Sequence, residues 1–154
     1  MEDEKFLMKP IGIVKSEYKN PSELHFACEK GKRAESISEI ILKDEFAEGL
    51  FRTDEFSHLW IIYFLDRAER TEIKTHPGPS SMKNLPKAGI FATRSQYRPN
   101  KMALRLVRFI KKTKNVITVG GLDAINGSKI LDIKPYVSHF DMPDDLREPE
   151  WYKW

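Results

Sequence analysis

Short apolar runs, separated by polar turn residues, dominate this chain. The strongest run, residues 58–65, is apolar and aromatic and too short for a typical helix, so it predicts a buried strand. Comparable runs predict further strands at residues 8–15, 36–42, 88–93, 104–110, 116–119 and 130–133. Six or seven short strands with few helical patterns indicate a mainly β fold, an antiparallel barrel or sandwich. A doubly wound fold, which alternates strands with helices, is disfavoured.

Turn residues predict how the strands connect. Residues 112–115 predict a hairpin turn, and Asn126-Gly127 predicts a second tight turn because both residues tolerate positive φ. Residues 44–48 predict a helical turn, which Gly49 stops in the left-handed conformation.

Two segments predict longer loops. The polar stretch 16–33 contains Pro21 and Gly31 and is long enough to be a functional loop. Residues 75–81 carry one glycine and two prolines and predict a second loop.

Size and composition favour one soluble domain. The chain has 154 residues, of which 40% are apolar and 32% charged, and no apolar run is long enough to cross a bilayer. We expect residues 1–154 to form a single domain, with its core at about 8–141 and an aromatic tail at 142–154. The acidic first residues are unlike a signal peptide, so a cytoplasmic location is expected.

The charge is weakly basic and unevenly distributed. The net charge is +3, and residues 141–150 hold five acidic side chains. Residues 101–114 contain no acidic residue and six basic ones, namely Lys101, Arg105, Arg108, Lys111, Lys112 and Lys114. This basic block is consistent with contacts to a phosphate backbone, and equally with a solvated strand face.

Several chemistries are excluded or disfavoured. The single cysteine, Cys28, has no partner for a disulfide or a zinc motif and is interpreted as a structural thiol. No phosphate-binding loop, dinucleotide fingerprint or nucleophile elbow is present. No metal is expected, because the histidines lack metal-ligand spacing; they are His25, His58, His76 and His139.

Two polar stretches remain as candidates for function. The first is GIFATRSQYRPN, residues 89–100, and the second is GLDAINGSKILDIKPY, residues 121–136. Arg94 follows an apolar strand end, where it could bind a carboxylate, a phosphate or a ribose hydroxyl, or simply form an ion pair. Asp123 and Asn126 could hold an adenine or ribose edge, although a hairpin alone would also favour them.

These two stretches resemble the TsaA-like family, also called TrmO, of S-adenosylmethionine-dependent tRNA threonylcarbamoyladenosine methyltransferases. Shorter matches agree: IGIVKS at 11–16, EGL at 48–50, FSHLW at 56–60 and His76-Pro77. The resemblance covers residues 8 to about 141.

The resemblance implies a small antiparallel β-barrel with short helices, unlike the common methyltransferase fold, and a homodimer with the cofactor pocket near the subunit interface. It implies methylation of the exocyclic nitrogen of threonylcarbamoyl-modified adenosine beside the anticodon, with tRNA as partner. The implied cofactor-binding residues are Ser16, Tyr18, Lys19, His58, Leu59, Arg94, Leu104, Asp123, Ala124, Ile125, Asn126 and Gly127.

The reaction implied needs few catalytic side chains, because the sulfonium already activates the methyl group. A base would help the weakly nucleophilic nitrogen, and His58 and Asp123 are the candidates. Arg94 is expected to hold the methionine carboxylate or the substrate, and Arg98 to contact substrate or to fix the turn. The residues expected to bind substrate are Arg98, Asn100, Arg105, Arg108 and Lys111.

The chain departs from the family pattern at three places. Family members continue with Pro-Ile-Gly-Leu-Ser after the position of Asn100, where this chain has KMALR. The segment 20–26 lacks the usual proline-arginine-glutamine element, and longer members carry a further C-terminal domain. These departures keep two alternatives open: a methyltransferase acting on a small molecule, and a non-catalytic module that binds S-adenosylmethionine or RNA.

Overall fold

The computed structural model describes residues 5–78 and 84–152. Three sequence predictions lie wholly or partly outside this description: the role of the Cys28 side chain, the end of the loop at 75–81 and the last two residues of the aromatic tail.

Six of the eight strands within the described residues form a closed barrel, and the other two form a small separate sheet. The strands are β1 (Gly12–Lys15), β2 (Ile37–Leu42), β3 (His58–Phe64), β4 (Lys74–Thr75), β5 (Ala88–Gly89), β6 (Met102–Thr113), β7 (Val116–Gly120) and β8 (Lys129–Pro135). The α-helices are α1 (Pro21–Glu29) and α2 (Ser138–Asp141). Short 3-10 helices span Lys32–Glu35, Asp44–Leu50, Thr53–Glu55, Ile90–Ala92 and Glu150–Tyr152.

The barrel follows the order β1, β2, β7, β6, β3, β8, and all its pairs are antiparallel. It closes where Gly12 of β1 pairs with Ile130 of β8. Closure removes the exposed edges that an open sheet would leave. The structure therefore confirms the barrel and excludes the sandwich that the strand pattern alone had also allowed.

Strand β3 shows how alternation builds the core. Its residues Leu59, Ile61 and Tyr63 are buried in the barrel interior, while the residues between them are only half-buried and face outward. The interior is completed by residues of the other five barrel strands, among them Val14, Ile40, Val107, Ile117 and Ile130.

The predicted loop at 16–33 is wrong over half its length, because residues 21–29 form helix α1. The sequence Asn-Pro-Ser-Glu begins this helix. The Asn20 side chain accepts a hydrogen bond from the Glu23 N–H at 3.0 Å, and the Glu23 carboxylate accepts one from the Lys19 N–H at 2.7 Å. This reciprocal cap, with proline at the first helical position, is a recognisable helix-start signal.

Three smaller predictions need correction. The strand predicted at 88–93 is limited to β5, and Ile90–Ala92 turns into a 3-10 helix. Gly49 lies within the 3-10 helix Asp44–Leu50, and the left-handed residue that follows is Arg52, with φ 66°. In the turn at 126–127 only Gly127 has a positive φ, 85°.

The hairpin turn predicted at residues 112–115 is confirmed. Thr113 pairs with Val116, so the loop consists of Lys114, with φ 54°, and Asn115. The Asn115 side chain donates to the Leu42 carbonyl at 2.7 Å and so ties the hairpin to β2. No helix in the described ranges is long and apolar enough to cross a membrane.

Candidate functional site

Two loops predicted to bind cofactor meet at one end of the barrel. The segment after β1 bonds to the loop between β7 and β8: the Ser16 N–H donates to Asn126 Oδ1 at 3.1 Å, and the Asn126 N–H donates to the Tyr18 carbonyl at 2.7 Å. Gly127, with its positive φ, donates to the Val14 carbonyl at 2.8 Å. Two distant stretches of sequence are therefore joined through their backbones.

Asp123 is anchored in the same loop by the barrel interior. The hydroxyl of Tyr63, the last inward residue of β3, donates to Asp123 Oδ1 at 2.9 Å and lies 3.0 Å from the Asp123 carbonyl oxygen. Arg105 Nε donates to the Gly121 carbonyl at 3.0 Å and lies 3.8 Å from Asp123 Oδ1. The side chains of Arg105 and Asp123 are 27% and 20% exposed, so the group formed by Tyr63, Arg105 and Asp123 is accessible to solvent at the barrel end.

Arg94 comes to this end of the barrel as well. Its Nη2 donates to the Leu104 carbonyl at 3.3 Å, and its side chain is exposed. Leu104 pairs with Ile62, the residue before Tyr63. Across the described ranges no carboxylate lies within ion-pair distance of the Arg94 guanidinium, so the ordinary ion pair considered for it is not observed there.

The ridge that carries Arg94, residues 89–100, is braced from within. Arg98 Nη1 donates to the carbonyls of Ile90 at 3.2 Å and Thr93 at 2.8 Å. The buried Thr93 hydroxyl also donates to the Ile90 carbonyl, at 3.0 Å. Of the two roles expected for Arg98, fixing the turn is the one that these contacts fulfil.

A cavity of about 580 Å³ adjoins the loops at 16–19 and 121–127. Its volume is in the range of small-molecule sites. Ser36, in its wall, accepts a hydrogen bond from the Gly121 N–H at 2.8 Å, which places the cavity beside the loop between β7 and β8. The lining residues are Glu17, Tyr18, Lys19, Glu23, Ala27, Lys32, Glu35 and Ser36.

His58 and Leu59 lie at the opposite end of β3. His58 is five residues from Tyr63 in this strand, or about 16 Å along it. Its Nδ1 is 3.0 Å from Ser57 Oγ, and its ring belongs to the outward set while Tyr63 points inward. Leu59 lines a second cavity, of about 480 Å³, at that end. One chain therefore does not bring the two candidate bases, His58 and Asp123, together.

The basic block does not form one surface. Arg105 shares the inward side of β6 with Val107 and contacts the Asp123 loop, whereas Arg108 is exposed and pairs with His58. Lys112 donates to Asp54 at 2.6 Å and to the Leu50 carbonyl at 2.9 Å. Among the residues expected to bind substrate, the ones exposed are Asn100, Arg108 and Lys111.

Tyr63 and Arg105 are the site residues whose positions the sequence analysis missed. Tyr63 lies in an apolar run that predicted only a buried strand, and Arg105 was predicted to bind substrate with the other cations of the basic block. Strand alternation carries a usable signal, because Val107 is buried and Arg105, two residues earlier, shares its side of the strand. A cation at an inward position needs a polar partner.

The described ranges contain no group of three or more histidine, cysteine or carboxylate side chains that could bind a metal ion.

Comparison with known proteins places this site in a family. The sequence profile of the tRNA-methyltransferase O (TrmO) N-terminal domain matches residues 13–142. The chain belongs to the TrmO family. Among curated TrmO relatives, an S-adenosyl-L-methionine-binding protein of Archaeoglobus fulgidus is 34% identical over 140 residues, covering 91% of this chain and 96% of the relative. A human tRNA (adenine(37)-N6)-methyltransferase is 30% identical over 152 residues, covering 97% of this chain and 35% of the relative.

Solved TrmO structures share the fold. The crystal structure of TrmO from P. aeruginosa superposes with a TM-score of 0.70 at 26% identity, covering 97% of this chain. A second TrmO crystal structure gives a TM-score of 0.74 at 25% identity, covering 94% of this chain. The chain spans 62% and 64% of the length of those two solved chains.

Proposed function

We propose that this TrmO-family chain is an S-adenosylmethionine-dependent methyltransferase that modifies tRNA. The acceptor would be the exocyclic nitrogen of a threonylcarbamoyl-modified adenosine beside the anticodon. The observation that carries the proposal is the meeting, at one barrel end, of the loops at 16–19 and 123–127 with Arg94 and Leu104.

The donor set at this end suits the cofactor. Arg94 is an exposed guanidinium without a described carboxylate partner, which matches the methionine carboxylate. The Asp123 carboxylate is an acceptor, which matches ribose hydroxyls or the methionine ammonium group. Tyr18, Lys19 and the backbone of residues 124–127 would complete the walls.

The cofactor supplies a methyl group already activated on a positively charged sulfur. The chain therefore has to bind, align and exclude water, and Arg94 and Asp123 would fix the two polar ends of the bound molecule. A base would take the proton that the acceptor nitrogen loses. In the tautomer in which His58 Nδ1 donates to Ser57 Oγ, Nε2 is the atom of His58 that would receive this proton.

A homodimer is part of the proposal. The outer face of β3 and β6 presents six apolar side chains in cross-strand pairs, and Met102 and Leu104 there are 41% and 46% exposed. The pairs are Trp60 with Leu106, Ile62 with Leu104 and Phe64 with Met102. A continuous apolar patch of this kind is typical of a subunit interface.

The dimer would also complete the site. A two-fold axis crossing the strands reverses their direction, so the His58 end of one β3 would face the Arg94 and Asp123 end of its partner. Each of two equivalent sites would then take His58 and Leu59 from one chain and the remaining cofactor residues from the other.

A second candidate function, a module that binds S-adenosylmethionine without transferring its methyl group, is favoured by the name of one relative. The A. fulgidus protein, 34% identical to this chain, is named for binding alone. The small-molecule methyltransferase has no structural observation in its favour.

Two broader expectations follow the proposed function. Residues 1–154 would form a single domain, with its core at about 8–141 and the aromatic tail at 142–154. A tRNA-modifying enzyme of this kind would work in the cytoplasm, where mature tRNA is used.

Calorimetry with S-adenosylmethionine tests the cofactor proposal. Arg94→Ala should weaken binding about tenfold or more, because it removes charge-assisted hydrogen bonds to the carboxylate. Arg147→Ala, at an exposed position in the tail, is the matched control and should bind normally. Absence of binding by the unchanged protein would reject the proposal.

Light scattering tests the dimer proposal. The unchanged protein should have twice the 18.0 kDa mass of one chain. Met102→Glu should shift it to the monomer by burying a charge in the apolar interface. Met142→Glu, at an exposed methionine of the tail, should not. A monomeric unchanged protein would contradict the shared site.

A further inference from the structure

We propose that Tyr63 and Arg105 are positioning residues for Asp123, and that this triad sets the affinity for S-adenosylmethionine. The inference rests on the proposed function, because it assigns a role to residues behind the cofactor site. Neither residue would touch the reacting atoms. Both would act by holding the loop at 121–127 in its binding conformation.

The position of Tyr63 carries the first step of the argument. It is 4% exposed, and its ring belongs to the barrel core next to residues such as Ile61. Its hydroxyl reaches out of this core to the carbonyl and the carboxylate of Asp123. A phenylalanine would fill the same space, so packing alone does not require the hydroxyl.

Arg105 supplies an independent support for the same loop. It lies on the neighbouring strand β6 and donates to the Gly121 carbonyl, two residues before Asp123. Gly121 has a φ of 85°, which glycine adopts without steric cost but as one of many accessible conformations, so the Arg105 contact restricts the backbone there. Strand β3 thus fixes the Asp123 carboxylate through Tyr63, and strand β6 fixes the backbone at Gly121 through Arg105.

Tyr63 orients the Asp123 carboxylate, and Arg105 pairs with it at longer range. Arg105 Nε is 3.8 Å from Asp123 Oδ1, within ion-pair distance but beyond hydrogen-bond distance, and the shorter contact of that nitrogen is to Gly121. A hydrogen bond from Tyr63 restricts rotation of the carboxyl group while leaving its charge. The carboxylate is then ordered before the ligand binds, so the entropy cost of ordering it does not weaken binding.

The consequence is a separation between affinity and turnover. Residues that only orient a cofactor-binding carboxylate should change the dissociation constant for S-adenosylmethionine and its KM, with little change in kcat. The effect of Tyr63→Phe should also depend on Asp123, because both changes interrupt one contact.

The test combines calorimetry with hydrogen exchange on the ligand-free protein. Tyr63→Phe should weaken S-adenosylmethionine binding about tenfold, the effect of losing one hydrogen bond to a charged group. Arg105→Met should weaken it similarly, and Arg105→Lys should restore part of the loss. In Asp123→Ala, the further change Tyr63→Phe should have a much smaller effect. Tyr152→Phe removes a phenolic hydroxyl from the tail and should bind like the unchanged protein.

Hydrogen exchange separates this inference from the proposed function. Without any ligand, Tyr63→Phe should speed exchange of the amides at 121–127 severalfold and leave those of β2 unchanged. Unchanged exchange in that loop, or unchanged affinity in Tyr63→Phe, would overturn the positioning role even if the protein binds S-adenosylmethionine. If the unchanged protein does not bind it, the proposed function fails, and faster exchange would still support Tyr63 as the support of the loop.

Discussion

At the scale of residues, Arg98 shows how a side chain from a recognisable motif can serve structure. Both of its observed acceptors are backbone carbonyls of the ridge, those of Ile90 and Thr93. Arg98→Met should lower the free energy of unfolding by about 1–3 kcal/mol, because two part-buried carbonyls lose a charged donor. Urea denaturation measures this change, with Arg147→Met as the exposed control. Unchanged stability together with weaker tRNA binding would instead assign Arg98 to the substrate.

Sequence reasoning succeeded for residues whose neighbours in the chain define their surroundings. Asn126 and Gly127 form a tight turn, with positive φ at Gly127 alone, and Arg94 is exposed within its ridge. Arg105 was harder, because its nearest polar contacts lie 16 and 18 positions further along the chain, at Gly121 and Asp123. The β6–β7 hairpin brings Gly121 beside β6, and the loop after β7 then places Asp123 beside Tyr63 of β3.

At the scale of elements, helix α1 depends on its N-terminal cap. Asn20→Ala should destabilise the protein by about 1 kcal/mol, the usual effect of removing such a cap. Thermal unfolding measures this loss, and Asn84→Ala, at an exposed position outside helices and strands, is the control. Equal stability of Asn20→Ala and the unchanged protein would mean that the helix is held by packing alone.

The tie between β6 and the 3-10 helix Thr53–Glu55 should depend on pH. The hydrogen bond from Lys112 holds the pKa of the Asp54 carboxyl below its ordinary value. A carboxyl with a lowered folded pKa stabilises the fold at neutral pH, and this contribution is lost as pH falls through the folded pKa. Asp54→Asn should therefore lower Tm at pH 7, and the difference should disappear as pH falls below about 4.

Comparison of melting curves across pH checks this, with Asp66→Asn as the exposed control. A Tm difference that stays constant from neutral to acid pH would show that Asp54 acts through something other than its charge.

Elements were predictable where one signal dominated. The apolar alternation of β3 and the turn between β6 and β7 could be identified directly, and so could most of the barrel strands. Helix α1 was not predicted, because its polar composition was interpreted as a loop despite its N-terminal cap. The strand prediction at 88–93 was too long, because Ile90–Ala92 has strand-forming side chains but a 3-10 backbone. Thr93 and Arg98 hold that backbone through contacts that strand propensity does not include.

At the scale of the whole molecule, the separation of His58 from Asp123 leads to a subunit-mixing prediction. Arg94→Ala and His58→Ala should each be poor methyltransferases as homodimers. If sites are shared, each mixed dimer has one intact site, so equal mixing with random exchange should recover about a quarter of normal activity.

Mixing each variant with itself is the control, and Met102→Glu in both chains should abolish the recovery by preventing dimer formation. If each site lies within one chain, a mixed dimer has no intact site, and no recovery should occur.

The central claim is that a cofactor site on this barrel methylates tRNA. The most direct measurement is transfer of a labelled methyl group from S-adenosylmethionine to tRNA from cells lacking this methylation. We predict label on threonylcarbamoyl-modified adenosine beside the anticodon, strongly reduced in Arg94→Ala and falling as salt weakens phosphate contacts. S-adenosylmethionine binding without label on any tRNA would contradict the claim and leave the binding module as the function.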